Sequence, residues 1–171
     1  MASQSSVRLA LPRDAEQIAR LQTASLASTL GNIEQPAEVS EVWIETWLQA
    51  ICKPPLATYR VLVALADDAV VGYALTGPSD DEDAEPDVGM IGDFVIGVTG
   101  QGHGSRLMQA CIDTLRADGF SYASIWLLTE DDLFRAFVLS SGWATDGAHR
   151  ELGDEEASDA TIRQVRLVSA I

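Results

Sequence analysis

The sequence predicts an α/β fold in one domain, with a mixed central sheet flanked by helices, and three observations predict it. Strand-like and helix-like apolar patterns succeed one another in the order β-α-α-β-β-β-α-β-α-β-β. A three-glycine turn, Gly100-Gln101-Gly102-His103-Gly104, joins the apolar run Ile91 to Val98 to an amphipathic helix. Neither an internal repeat nor a linker interrupts the 171 residues, a length that suits a single core.

Val7, Leu9 and Leu11 alternate with Arg8 and Ala10 as a first strand, which Pro12-Arg13 break. Asp14 followed by Gln17 has capping-box spacing, and Ala15, Ile18, Leu21 and Leu26 give the helix behind it a core-facing stripe. A turn at Gly31-Asn32 precedes a second helix bearing Trp43, Ile44, Trp47, Leu48 and Ile51, closed by Pro54-Pro55. Two tryptophans one turn apart read first as core, but any part of that face left open would make an acceptor wall. Arg60 to Ala66 and Ala69 to Leu75 are β-rich runs joined by Asp67-Asp68, an antiparallel hairpin that Gly77-Pro78 end. The run Ser79 to Asp87 reads as a solvated acidic loop, and the strand Met90 to Ile96 follows it.

The helix after the glycine turn, from near Ser105, carries Leu107, Met108, Cys111, Ile112 and Leu115 as one stripe, with Arg106, Gln109, Asp113 and Arg116 opposite. Gly119 ends it as a left-handed residue, and Phe120 is placed to fold back on the last turn. Tyr122 to Leu128 is a buried-type strand. Asp131 to Ser141 is a short helix with Leu133, Phe134, Phe137 and Val138 on its apolar face, stopped by Gly142. Gly147 to Leu152 and Thr161 to Val168 are the last strands, around the acidic loop Gly153 to Asp159.

Alternate glycines let several backbone N–H groups converge on one point, and the helix behind them adds the positive end of its dipole. Such a corner suits phosphate. It is not a P-loop, because Gly104 is followed by Ser105-Arg106 with no lysine for a terminal phosphate. A dinucleotide fold wants an acidic residue closing the next strand, and that strand ends Trp126-Leu127-Leu128-Thr129. A glycine turn that binds nothing stays open on spacing alone.

Composition narrows the function. With 26 acidic against 11 basic residues and a formal net charge of −15, the chain repels polyphosphate backbones, so nucleic acid is not an expected partner. The same field would attract a cationic small molecule or basic peptide, though acidity also simply keeps a protein in solution. No apolar stretch approaches the roughly 18 residues of a membrane span, so no membrane partner is expected. Met1 to Ser6 lacks the apolar core of a signal peptide and two cysteines make no disulfide framework, which points to the cytoplasm. Cys111 sits on an apolar stripe, and Cys52 has no Cys or His at ligand spacing, so no metal site is expected.

From Val7 to Val168 the chain resembles the GNAT superfamily of acyl-CoA-dependent N-acetyltransferases. Gly100 to Gly104 followed by Leu107 looks like the family's pyrophosphate loop of R/Q-x-x-G-x-G/A type, and Phe137 to Trp143 with Gly147 and Arg150 looks like its F-Y-x-x-x-G-F/W segment and the next strand. The resemblance implies one GNAT-like domain over 1-171, a monomer or homodimer, with central strands Met90 to Ile96 and Tyr122 to Leu128 splayed to admit the pantetheine arm. It implies acetyl-CoA (CoA) as co-substrate, with pyrophosphate on the amides of residues 100 to 105. The cofactor contacts it implies are Val95, Ile96, Thr99, Gly100, Gln101, Gly102, His103, Gly104, Ser105, Asp131, Phe134 and Phe137. Thr99 stands where the family usually has Arg or Gln, and Asp131 where an Asn often touches the cofactor arm. The family's frequent glutamate falls at Met90 and its thiolate-protonating tyrosine at Val138, and neither side chain can move a proton.

Acyl transfer from a thioester to an amine needs a neutral nucleophile, donors for the carbonyl oxygen and a way to stabilise the thiolate. Asp93, inside the strand before the glycine turn, is the candidate base, and strict alternation sets it on the face opposite Met90. Its structural reading is a capped bulge or a solvent-facing residue. His103, inside the turn, and His149, among polar residues, read as structural. The leading expectation is an N-acetyltransferase acting by direct attack of a primary amine, small molecule or peptide. Its alternatives are a non-catalytic acyl-CoA-binding module and a purely structural domain. The acceptor is not legible, because acceptor pockets are built from variable loops.

Overall fold

The computed structural model describes residues 4–30, 38–153 and 161–171. In chain order its elements are β1 (Ser5–Leu9), α1 (Ala15–Leu30), α2 (Glu41–Cys52), β2 (Arg60–Ala66), β3 (Ala69–Pro78), β4 (Val88–Ile96), α3 (His103–Ala117), β5 (Tyr122–Leu128), α4 (Asp132–Ser140), β6 (Ala144–Leu152) and β7 (Ile162–Ala170). One sheet runs β1-β2-β3-β4-β5-β7-β6. Among the described residues only β4 and β5 pair in parallel, with α3 as the crossover between them, so the sheet is mixed.

The sheet separates two cores. On one face Leu107, Met108, Cys111 and Leu115 of α3, all fully buried, lie with Leu62, Ala74, Ile91, Ile125 and Leu167. Each such side chain contributes about 1.5–3 kcal/mol by leaving water. On the other face α1 and α2 bring Ile18 and Trp47 against Val61, Val63 and Tyr73. Trp47 meets Tyr73 edge to face at 5.0 Å and donates from Nε1 to Gln22 Oε1 at 2.9 Å.

The turn chemistry is as expected at two places. Gly119 has φ 93°, its N–H donates to Arg116 O and the Phe120 N–H to Leu115 O, a complete Schellman end to α3. Asp67 takes the left-handed φ of 53° that the two-residue hairpin between β2 and β3 requires.

Other local readings change. Asp14 and Gln17 do not form a capping box. Asp14 is 2 % exposed, accepts from Arg8 Nη1 at 2.6 Å and from the Leu11 amide at 2.7 Å, while Gln17 accepts from the Val70 amide of β3. Leu26 is 40 % exposed, because it lies about a quarter turn off the face that Ile18 buries. The acidic run is not simply solvated. Asp81 accepts from Trp126 Nε1 and Arg166, and Asp83 takes Arg166 bidentately at 2.6 and 2.7 Å, so the loop is tied onto β5 and β7. The turn at Gly31-Asn32 and all of the acidic loop after Gly153 lie outside the described residues. No helix among the described residues is long and apolar enough to cross a membrane.

Candidate active site

β4 keeps a regular register only as far as Ile91. Thr76 of β3 pairs with Ile91 and Ala74 with Phe94, so Leu75 alone stands opposite both Gly92 and Asp93. That extra residue is a β-bulge, and it shifts the alternation beyond it. Ile91 and Phe94, three apart, therefore share the α3-side core. Asp93 turns instead to the face of Val95, toward α1 and α2. Alternation alone sets Asp93 opposite Met90, but the bulge puts the two on one face. A Cβ at Gly92, the other bulge residue, would come within 4.0 Å of Met90 Cε and 3.3 Å of Leu75 Cβ.

Beyond the bulge β4 also parts from β5. Their pairing runs from Val88 with Tyr122 to Ile91 with Ile125 and stops, although β4 continues to Ile96 and β5 to Leu128. Phe94 lies in the unpaired part and stacks on Phe134 of α4 at 5.4 Å, with Phe137 at 6.2 Å. These rings wall a cleft of about 950 Å³.

Ten of the expected cofactor contacts line that cleft: Val95, Ile96, Thr99, Gly100, Gly102, Gly104, Ser105, Asp131, Phe134 and Phe137. Gln101 and His103 do not. His103 is the first residue of α3 and is 2 % exposed, its Nε2 without a partner among the described residues, while Gln101 is exposed. At the helix start Gly102 is the left-handed N-cap, φ 79°, with no side-chain cap. The first α3 amide that reaches a carbonyl of the turn is that of Arg106, to Gly102 O. The amides of His103, Gly104 and Ser105 are those a helix leaves for a ligand. Adding a Cβ at Gly104 would meet only Phe137 and Ile96, at 3.6 and 3.8 Å, so glycine there keeps room in the cleft rather than relieving strain. Asp131 also caps α4, accepting from the Phe134 amide at 3.0 Å.

The opposite wall is a surface that sequence reasoning missed. Leu21, Ala24, Ser25 and Ser28 of α1 line the cleft, together with Thr29. Their spacing of three, four and seven marks one helix face, and its small and hydroxyl side chains were the available signal. Gly97, at the cleft edge, allows α1 this close: a Cβ there would stand 2.7 Å from Leu21 Cδ2.

A second pocket of about 360 Å³ opens on the far side of β4, lined by Gln22, Val42, Trp43, Thr46, Trp47, Ala50, Leu75 and Asp93. Part of the tryptophan face of α2 is thus open. Burial pushes the Asp93 carboxyl above the ordinary carboxylate value, with no cation beside it to oppose the shift. Burial, helped by the Asp93 charge, also raises the Tyr73 hydroxyl, which stays protonated. Val138, by contrast, is fully buried in the α3-side core and does not line the cleft. Ser140 and Ser141 both donate to Phe137 O, and neither lines the cleft. His149 is exposed. Among the described residues no group of three or more His, Cys, Asp or Glu is placed to hold a metal ion.

A family model described as Acetyltransferase (GNAT) family matches residues 25–137, from the cleft face of α1 through the bulge and glycine turn to Phe137. A search of the curated proteins finds no match. Among solved structures, yncA of Salmonella typhimurium, with its cofactor acetyl-CoA, superposes with a TM-score of 0.73 at 17% identity, covering 97% of this chain and 93% of that one. An N-acetyltransferase of Staphylococcus aureus gives 0.78 at 13% identity over 98% and 99%. A ribosomal-protein-alanine N-acetyltransferase of Brucella melitensis gives 0.77 at 17% over 97% and 99%. At such identities the likeness is one of fold.

Proposed function

The chain belongs to the GNAT family of acetyltransferases, and on that premise we propose that it transfers an acetyl group from acetyl-CoA to a primary amine by direct attack. One observation carries the reading. Adjacent residues of β4, Asp93 and Phe94, and adjacent residues of α1, Gln22 and Leu21, line the small pocket and the large cleft respectively. A thioester in the cleft and an amine in the pocket would meet across the β4 bulge.

The residues present fit CoA, since the cleft has glycine-lined room beside free first-turn amides. When bound, acetyl-CoA supplies an acyl group already activated as a thioester. The amides of residues 100 to 105 hold the pyrophosphate, and Phe94, Phe134 and Phe137 keep water from the arm. In the pocket Trp43 packs against the body of the amine and Asp93 accepts its proton, leaving the nitrogen lone pair free to attack. The acceptor arrives as an ammonium ion, which suits a carboxylate-bearing pocket in a chain of net charge −15.

The burial of Val138 favours a second reading, a non-catalytic acyl-CoA-binding module, since the α4 position where a proton-donating hydroxyl is expected does not line the cleft. Thiol release from acetyl-CoA across a panel of amines separates the two. Turnover above the no-enzyme rate establishes the transferase. CoA binding with no turnover of any amine leaves the module.

A further inference from the structure

The pocket on the far side of β4 sets one charge in a lining that is otherwise uncharged among the described residues. Asp93 supplies the charge, and Val42, Trp43, Trp47, Ala50 and Leu75 make the walls apolar. Val42 is 70% exposed, so its side chain serves the pocket and not a core. The polar groups beside these walls are engaged within the protein: the Thr46 hydroxyl donates to Val42 O at 2.8 Å, and Gln22 Oε1 accepts from Trp47 Nε1 at 2.9 Å. No cationic side chain answers Asp93. None of the chain's 11 lysines and arginines or 2 histidines lines the pocket. Residues 1–3, 31–37 and 154–160, which lie outside the described structure, include no lysine, arginine or histidine, so none comes from there. Arg20, close to Gln22 in the chain, is exposed and bound to Glu16, and Lys53 is exposed past the end of α2.

We propose that this pocket selects a primary amine on an apolar body with no anionic group, a hydrophobic amine in chemical class, and rejects free amino acids. The proposal rests on the reading of the Asp93 pocket as the amine site. The ammonium pairs with Asp93, and the body leaves water against Trp43, Val42, Ala50 and Leu75. A volume of about 360 Å³ suits a small ligand. An amino acid carries its carboxylate on the carbon next to the nitrogen. With that nitrogen on Asp93, two like charges would stand close together in a sheltered place, with no cationic side chain to part them.

Two assays on the full chain test this. The first compares kcat/KM with acetyl-CoA for phenethylamine, L-phenylalanine and ethylamine. The second measures calorimetrically the binding of the same three amines to the CoA-saturated protein. Phenethylamine should exceed phenylalanine about 10-fold or more, the penalty of an unpaired charge, and ethylamine by a similar factor, the worth of a buried ring. Trp43→Ala should lower the ratio of phenethylamine to ethylamine through KM, and Trp43→Phe should keep most of it. Val42→Ser, a change at an exposed position that spares the fold, should lower the same ratio about 3-fold. Phenylalanine used as well as phenethylamine, or a ring preference untouched by both Trp43→Ala and Val42→Ser, overturns the proposal and leaves the transferase reading standing. Binding of none of the three overturns it as well. Selective binding of phenethylamine, with no amine acetylated, upholds the hydrophobic amine site and removes the transferase reading instead.

Discussion

Asp93 and Phe94 are consecutive in the chain yet face opposite sides of the sheet and line different pockets. The bulge that lets Ile91 and Phe94 share a core makes this possible while keeping Asp93 under α1 and α2. A carboxylate is thereby set one peptide away from the aromatic wall of the cleft, without a side chain having to cross the sheet.

The glycine turn gives the first prediction. A valine at Gly102 would force φ 79° on a β-branched residue and bring its Cβ to 3.1 Å from Arg106 Nη1, so Gly102→Val should lose about 1–3 kcal/mol of stability. It is therefore a poor probe of binding. At Gly104 an added Cβ meets only ordinary contacts, so Gly104→Ala removes space in the cleft without straining the turn. It should weaken CoA at least ~10-fold, about one charge-assisted hydrogen bond to phosphate, with little change in melting temperature. Calorimetry showing full CoA affinity in a folded Gly104→Ala protein would remove the amide cradle from the account.

The acidic loop gives the second. Asp81, whose side chain is 11% exposed, takes Trp126 Nε1 and Arg166 at once. Asp81→Ala should cost about 1–2 kcal/mol, because Trp126 Nε1 loses its acceptor in a poorly solvated place, while Arg166 keeps Asp83 and Asp146. Sheltered charges are weakly screened, so the loss should persist at high salt. Chemical denaturation at low and high ionic strength reads both quantities, and a loss that vanishes with salt would return the loop to the solvated role its composition suggests.

Local chemistry was legible and tertiary partners were not. The hairpin at Asp67-Asp68, the end of α3 at Gly119 and the glycine turn before α3 each depend on a few adjacent residues, whose φ preferences are written in their types. The tie between Asp81 and Arg166 spans 85 positions, and nothing local distinguishes it from a solvated charge run. The bulge at Gly92-Asp93 likewise depends on pairing with β3, and missing it reversed the face given to Asp93. The cleft face of α1 escaped because its small residues suggest neither core nor catalysis until the sheet is set against them.

Val138 gives the third prediction. A tyrosine there could supply a proton only by reaching the cleft, yet Val138 is fully buried among Leu107, Leu127 and Trp143 of one core cluster. Val138→Tyr should therefore overpack that core, lowering stability by about 1–3 kcal/mol, and should not raise kcat. Thermal melts and steady-state rates of the two proteins check it. A variant of undiminished stability with faster turnover would show that α4 can rotate this position toward the thiol.

Asp93 carries the last prediction, because the same burial should make it both useful and costly. Burial alone raises its carboxyl from the ordinary 3.8, and no cation compensates. A base must be ionised to accept a proton, so kcat/KM should rise with pH through that raised value. Asp93→Asn should lower kcat on the order of 10²-fold or more while CoA affinity stays unchanged. Stability runs the other way. With the folded pKa above the unfolded one, the native state binds more protons between 3.8 and the raised value, so wild-type stability falls as pH rises through that window. Asp93→Asn escapes the penalty. It should melt higher than wild type at neutral pH, and the gap should close as the pH drops below the ordinary carboxylate range. Melting curves across pH, beside single-turnover rates with a saturating amine, measure both. If Asp93→Asn keeps full activity and melts with the wild type at pH 7, Asp93 is neither the base nor a strained carboxylate, and the proton must leave the amine through solvent.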